Sequence, residues 1–477
     1  VTQADFGRTT TAGQDGRVTW RFVADSVRDH AFTVVRASNW DARRTAVGDR
    51  DGDGRTDHTA IHAFWRPSAP RWANVAAYEA HAITFLSGFT GIPYPWPHMT
   101  AVEGEGIIGG GMEYPMMTLI GGYTQAGDAA LYNVTAHELA HMWVPMTVSV
   151  DERRYSWMDE GMTTYHEAQA RKDTFPGNTA EIEDRDAYLN TARAGVEGEV
   201  MRRSDFHYTG AAYSTASYPK PSTNFVTLRG VLGDATFDRA WRTFQQRWAW
   251  KHPYPWDFFN TVEEVAGEDL DWFWRTWFYE TWTLDQAVGS VTEGPGGATI
   301  VVEDRGLAPM PARLTVPRQD GTTQGREVPV ETWLEGRKTA TVTRPSAASP
   351  IIRPYPATLY VSGIRSSRGH PCLHQGAELA EPCRVIAQRG SDHLAERGQD
   401  RDRQQDPARL IHDTGPSRGT ASTPTINLSS RRVSSWSQRS GVSHCARADA
   451  TTGVEKGGGR QPLPGRHGPR HHGPRLG

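Results

Sequence analysis

The first 360 residues of this 477-residue chain contain no cysteine, since Cys372, Cys383 and Cys445 all lie beyond them. That part therefore has no disulfide and no thiolate, and any metal it holds must rest on His, Asp or Glu. Long apolar runs are also lacking. No stretch of about 18 apolar residues occurs, which speaks against a membrane span. Aromatic residues are scarce towards the end: of 17 Trp, 15 Tyr and 15 Phe, only Trp436 falls after residue 360. The same 117 residues are rich in Arg, Ser, Gly, Pro and His, with no sustained period of 2 or 3.6. Such a composition cannot bury enough apolar surface to offset chain entropy. Residues 361–477 are accordingly expected to be a disordered basic tail, with a frame-shifted end as the simpler origin of its composition, and its closing RHGPRHHGPRLG has no scaffold for a metal site.

Positive charge is short in the body. Up to residue 360 there are 34 Lys+Arg against 45 Asp+Glu, and after it 18 against 10. An acidic body argues against a nucleic-acid groove. The chain begins at Val1 with no initiator methionine and no charged-then-apolar leader, as expected of a fragment or of a chain whose signal has been removed. Secreted and cytoplasmic locations both stay open, and so does the oligomeric state.

What is present is a globular body. A hydrophobic fraction of 37% with 10% aromatics supplies packed cores, and the length allows two to four domains. Between residues 17 and 65, runs such as RVTWRFVA and FTVVRAS suggest antiparallel sheet. From Trp72 to about Val288 the pattern turns helical, as in WANVAAYEAHAITFLSGF and FDRAWRTFQQRWAW. After Ala298, ATIVVED, ARLTVP and TATVTRP read as a small all-β module.

The stretch TAHELAHMW places His137 and His141 at i and i+4, about a turn apart on one helix face. That separation suits two ligands of one Zn²⁺, with Glu138 beside the first able to take a proton from a water held there. Taken alone, five residues fit a solvent-facing helical pair equally well. A catalytic zinc needs a third protein ligand, and Glu160 follows His141 with eighteen residues between them, in WMDEGM. Pro145 and the polar SVDERRY stretch should end the first helix and let a second, starting near Asp159, return beside it.

The pattern HExxH-x18-E in an aromatic WMDEG frame resembles the M1 family of zinc aminopeptidases, of the gluzincin clan. Upstream, EGIIGGGMEYP is similar to that family's G-x-M-E-N segment, with Gly110, Gly111, Met112 and Glu113 in matching places and Tyr114 where most members have Asn. The resemblance implies an edge strand lying along the substrate backbone, with Glu113 on the free α-amino group. Glycines let two backbones approach closely, and a fixed carboxylate measures off a terminal ammonium. Downstream, Tyr218-Pro219-Lys220 matches the family's Y-x-K segment, with Pro221 where a small residue is usual; Tyr218 would stabilise the tetrahedral intermediate. Tyr213 reads as core or support. Leu270, Phe273, Trp274, Trp277 and Phe278 fall at helical spacing and read as a buried stripe.

The likeness covers about residues 17 to 350. It implies an α+β fold: a thermolysin-like catalytic domain at 71–288, a remnant of an N-terminal β domain at 1–70, a small β-sandwich at 289–360 and the tail at 361–477. It implies a zinc-dependent aminopeptidase acting on peptides, with zinc on His137, His141 and Glu160 and with Glu138 and Tyr218 catalytic. Two other readings stay open. An endopeptidase would use the same zinc without reading a free amine, and a non-catalytic peptide-binding protein could be built on a peptidase fold. Separately, Asp49, Asp51, Asp53 and Asp57 form D-x-D-x-D-G-x-x-D, the start of a calcium loop, but Ala60 stands at position twelve. A solvated Asp/Gly turn is the simpler expectation there.

Overall fold

The computed structural model describes residues 10–353, apart from residues 13–17, 21, 36, 124–125, 176, 295–296, 318–321 and 345–350. Strands β1 (Thr10–Ala12) and β2 (Val18–Trp20) pair antiparallel. The FTVVRAS run, expected as a strand, does not pair. Phe32 and Val34 are 67% and 85% exposed, and pairing begins only at Asn39. Its apolar residues Val34 and Val35 are consecutive, so no single face of a pleated strand could bury them both. The segment is instead tied down by Arg28 to Glu152 at 3.2 Å and by the Trp96 indole to the Asp25 carbonyl at 3.3 Å.

A five-stranded sheet follows: β3 (Asn39–Gly48), β4 (Asp57–Trp65), β5 (His98–Glu103), β6 (Gly111–Met112) and β7 (Met117–Ile120), in the order β3-β4-β5-β7-β6. Its strands come from both sides of residue 70. The central pairs are parallel, and β6 returns antiparallel on β7 as an edge with one side unpaired. Helix α1 (Val75–Thr90) covers the sheet, and its Val75, Ala76, Ala82, Ile83 and Leu86 join Ile61, Ala63, Met99 and Ala101 in one core.

One residue of α1 breaks the apolar pattern. Glu79 is fully buried, and neither carboxyl oxygen makes a well-formed hydrogen bond. Burial raises this carboxyl well above the usual range, and the Ala101 amide offsets only part of that rise.

The remaining helices are α2 (Asp128–Ala140), α3 (Met162–Thr174), α4 (Ala180–Arg193), α5 (Gly210–Ser217), α6 (Pro219–Leu232), α7 (Asp234–Trp248), α8 (Pro255–Ala266) and α9 (Asp271–Trp274). They enclose a second core of aromatics, including Trp157, Tyr165, Phe225, Trp241 and Phe258, with many edge-to-face contacts. The stripe of Leu270, Phe273, Trp274, Trp277 and Phe278 is buried in it, none more than 3% exposed. None of the helices among the described residues is long and apolar enough to cross a membrane.

Beyond α9 come β8 (Gln286–Gly294), β9 (Gly297–Asp304), β10 (Ala312–Pro317), β11 (Thr323–Val328), the short α10 (Glu331–Leu334), β12 (Thr339–Arg344) and β13 (Ile351–Arg353). They form two three-stranded sheets, β12-β9-β8 and β11-β10-β13. Ile300 and Val302 from one sheet meet Ala312, Leu314 and Val328 from the other in a small core closed by Trp333. The tail expected after residue 360, with its three cysteines, lies outside the described residues.

Candidate metal centre

Helix α2 opens with Asp128 in its first turn, where a carboxylate complements the helix dipole, and its four alanines, two leucines and Glu138 favour the helix through to Ala140. Leu131, Tyr132, Ala136 and Leu139 bury one side of it. His137 and His141 share another side, their rings 4.9 Å apart and nearly perpendicular. The chain turns after His141 and comes back in a single π-helical turn, Trp157–Gly161, that leads into α3. Trp157 is fully buried in the aromatic core, against Phe259 and Phe278, and so fixes the turn that presents Glu160. Gly161 completes the fit. A Cβ there would meet Pro221 Cγ of α6 at 2.5 Å, so only glycine lets the two elements touch.

Three donors converge as a result. Glu160 Oε2 lies 3.1 Å from His137 Nε2 and 3.3 Å from His141 Nε2. A tetrahedral zinc with ligands about 2 Å away sets its donors about 3.3 Å apart. The outer nitrogens are occupied elsewhere, which leaves Nε2 of each ring to face the centre. His137 Nδ1 is 2.6 Å from Glu167 Oε2, and the Asn133 amide donates to the other Glu167 oxygen. His141 Nδ1 lies 2.9 Å from the Val144 carbonyl. Two imidazoles and a carboxylate, each oriented from behind, are the chemistry zinc takes, so the residues present fit that ion.

The charges favour a cation at this point. Burial opposes charge on His137, yet its bonds to Glu160 and Glu167 outweigh burial and raise it to about 10. Glu160 is likewise penalised by burial, but the two histidines pull it far below the usual carboxylate range. Glu138, only 4% exposed, is raised to about 7, chiefly by burial, with the histidines opposing and Glu113 and Glu160 adding to the rise. Its Oε2 is buried with no hydrogen-bond partner.

Tyr218 stands at the break between α5 and α6, where Pro219 begins the second helix. Its hydroxyl donates to Glu160 Oε1 at 2.7 Å, and its ring stacks on His137. Burial first, and then Glu160, hold this phenol well above the ordinary value. Lys220 anchors the start of α6 from below: its Nζ, buried, reaches Glu197 at 3.2 Å and the carbonyls of Gly198 and Glu280 at 3.3 Å.

Opposite the histidines runs β6. Gly111 pairs with Ile120 and Met112 with Leu119, and Gly121 donates to the Gly110 carbonyl at 2.8 Å. The preceding loop is braced by Arg66 on Glu103 and by Glu105, which accepts from the Gly122 amide at 2.9 Å. A Cβ on Gly111 would lie 2.1 Å from Glu138 Cδ, so the strand can pass over Glu138 only as glycine. Glu113 follows directly, and its carboxylate comes within 4.8 Å of donor atoms of His141 and Asp159.

His137, His141, Glu160, Glu138, Tyr218 and Glu113 thus gather in one place, with Gly111 against Glu138, and others join them that the sequence motifs did not single out as site residues. Glu167 and Asn133 brace His137. Asp159 lies 3.0 Å from His141 Nδ1. Tyr213, read as core or support, is partly exposed and its phenol is raised by burial and then by Glu160. Asp29, ahead of β3, is raised by burial and, in lesser part, by Glu113. Helical spacing was a usable signal for two of these, since Asn133 precedes His137 by four residues and Glu167 follows Glu160 by seven. The aspartate loop is a separate matter. Asp49, Asp51 and Asp53 are exposed and near one another, but Asp49 accepts the amides of Gly52, Asp53 and Gly54, and Asp57 is turned to the Arg50 amide. These bonds are those of an Asx-type turn.

Residues 76–277 match the model for the Peptidase family M1 domain. The chain is 24% identical over 212 residues to Aminopeptidase M1-D of Oryza sativa subsp. japonica, covering 41% of this chain and 24% of that protein. It is 24% identical over 216 residues to Leucine aminopeptidase 2 of Aspergillus fumigatus, covering 42% of this chain and 35% of that protein. The chain thus spans about a quarter to a third of these relatives' lengths. Among solved structures, Legionella pneumophila aminopeptidase A, crystallised in complex with aspartic acid, superposes with a TM-score of 0.50 at 16% identity, covering 65% of this chain and 37% of that one. At that identity the likeness concerns the fold alone.

Proposed function

Residues 76–277 form a peptidase family M1 domain, and from that premise we propose that the protein is a zinc-dependent aminopeptidase that removes N-terminal residues from peptides. The observation that carries the reading is the convergence of His137 Nε2, His141 Nε2 and Glu160, with the Tyr218 hydroxyl and the unpartnered Glu138 carboxyl on the same point. His137, His141 and Glu160 would hold the zinc, which would supply a Lewis acid for the scissile carbonyl and the attacking water. Glu138, held near neutrality, takes that water's proton at Oε2 and passes it to the leaving amine. Tyr218, whose phenol stays protonated, turns from Glu160 Oε1 to donate to the carbonyl oxygen as negative charge develops there. The unpaired edge of β6 aligns the peptide by strand addition, with Gly110 to Met112 along its backbone, and Glu113 meets the free α-ammonium.

The test is zinc content together with hydrolysis of an aminoacyl anilide and of its N-acetylated form. One zinc per chain, lost in Glu160→Ala, and a clear preference for the free amine are expected. Zinc retained by Glu160→Ala would remove Glu160 from the metal site. Equal rates on the two substrates would replace the aminopeptidase with an endopeptidase.

A further inference from the structure

Helices α8 and α9 and the π-helical turn Arg275–Tyr279 enclose a cleft of about 610 Å³, and none of the residues that line it belongs to the metal centre. Its walls are rings. Phe259 and Trp274, both buried, stack with centroids 4.4 Å apart and planes 16° from parallel. Trp256 and Tyr279 stand at the rim, 48% and 41% exposed. Their positions are fixed, since the Trp256 indole donates to the Tyr279 hydroxyl at 3.1 Å and its ring meets that of Tyr155 nearly at right angles. Two large aromatic side chains are thus held half open to water, in one arrangement, at the mouth of a cleft.

The rest of the lining is mainly acidic. Glu263, Asp271 and Glu280 stand against a single basic residue, Arg275. That guanidinium is engaged, 3.2 Å from Glu280 and over the Trp282 ring at 5.5 Å, so the charges of Glu263 and Asp271 are left over. Asp269 adds another, with donor atoms of all three carboxylates within 4.8 Å of one another. Glu263 Oε1 already accepts from the Leu270 amide at 3.1 Å and from the Trp274 indole at 2.8 Å, which ties this carboxylate to the ring wall.

Aromatic faces and carboxylates both attract positive charge. A bare metal ion would use the carboxylates and leave the rings idle. A cation clothed in methyl groups uses both, because it buries apolar surface against the rings while its charge stays within the carboxylates' field. It also needs no N–H donor, which suits a Glu263 oxygen whose hydrogen bonds are already filled. The volume lies within the range of small-molecule sites.

We propose that this cleft binds a small organic cation of the quaternary-ammonium class, held by the ring faces of Trp256 and Tyr279 and by the negative charge of Glu263 and Asp271. The site is separate from the peptidase chemistry and does not rest on the aminopeptidase reading.

The experiment is a saturation-transfer NMR titration of the full chain with choline and with dimethylbutanol, its uncharged analogue with carbon in place of nitrogen. Choline should bind about tenfold tighter or more. Trp256→Leu keeps an apolar wall but loses the ring, and Asp271→Asn removes one exposed charge; each should weaken choline by about fivefold, and Asp271→Asn should leave dimethylbutanol unchanged. Circular dichroism checks that both variants are folded, and if Trp256→Leu is not, Asp271→Asn alone decides. Equal affinity for the two probes would reduce the site to an apolar cleft. A choline preference that survived the substitutions would put the cation elsewhere. Either result overturns the proposal, as does a wild type that shows no saturation transfer to choline.

Discussion

The Tyr218 hydroxyl donates to Glu160 Oε1 at 2.7 Å, on the same carboxylate whose other oxygen faces both histidines. In the proposed mechanism one side chain thus orients Glu160 as the third metal ligand and keeps a proton beside the reacting carbonyl. Tyr218→Phe removes that proton and leaves the ring stacked on His137. The expected result is unchanged zinc content with kcat lowered by about 100- to 1,000-fold. A variant that lost its zinc would show that the phenol serves the ligand rather than the reaction.

Gly111 and Glu138 give a second, steric prediction. A methyl group on Gly111 would stand 2.1 Å from Glu138 Cδ, so Gly111→Ala must push either the carboxyl or the edge strand aside. The metal donors sit on other elements and are untouched. Zinc should stay bound while kcat falls by about 100-fold, the penalty of a displaced proton acceptor. Activity close to that of the wild type would mean that the strand does not lie over Glu138 in the working enzyme.

Glu79 sets a pH dependence of stability. Its carboxyl is raised well above 4.5 in the folded protein, chiefly by burial, and in the unfolded chain it returns to about that value. Between the two values the folded state binds more protons, so stability falls as pH rises above 4.5 and levels off once the folded group has ionised. Tyr94, also fully buried, is pushed up by burial first and then by Glu79. Glu79→Gln should raise the melting temperature at neutral pH and flatten its decline with pH, as followed by circular dichroism. A melting curve that moved equally at pH 4 and pH 8 would assign the effect to packing instead of charge.

The metal centre was legible because its signals are local. His137 and His141 are held together by the helical repeat, and Glu160 returns beside them after a turn that Pro145 and a polar stretch announce. Glu113 and Tyr218 were reached through a family resemblance, since no spacing rule links residues on an edge strand, a helix pair and a helix junction. Asp159 went unnoticed beside Glu160. Its surroundings depend on β6 crossing from some forty-five residues upstream, and chain order does not reveal that crossing. Glu79 was hidden for the opposite reason. In the alanine-rich VAAYEAHAITFL helix a lone glutamate reads as the solvent face, yet the sheet below and the following loops close over it. The FTVVRAS run misled because β-rich composition says nothing about which strand is available to pair, and the hydrogen-bonding partner of β4 is the less apolar NWDARRTAVG.

The edge of β6 works as a ruler with a parity. A peptide that adds to it advances about 3.3 Å per residue, and successive side chains point to opposite faces of the sheet. If the first residue's amine is stopped at Glu113, as proposed, its side chain and that of the third residue fall on one face, and that of the second on the other. A walled-off first position therefore constrains the third and leaves the second to be read by different groups. On the proposed reading, cleavage would proceed in whole steps: each released residue would advance the peptide by one tooth of the ruler and invert the face that every remaining side chain presents.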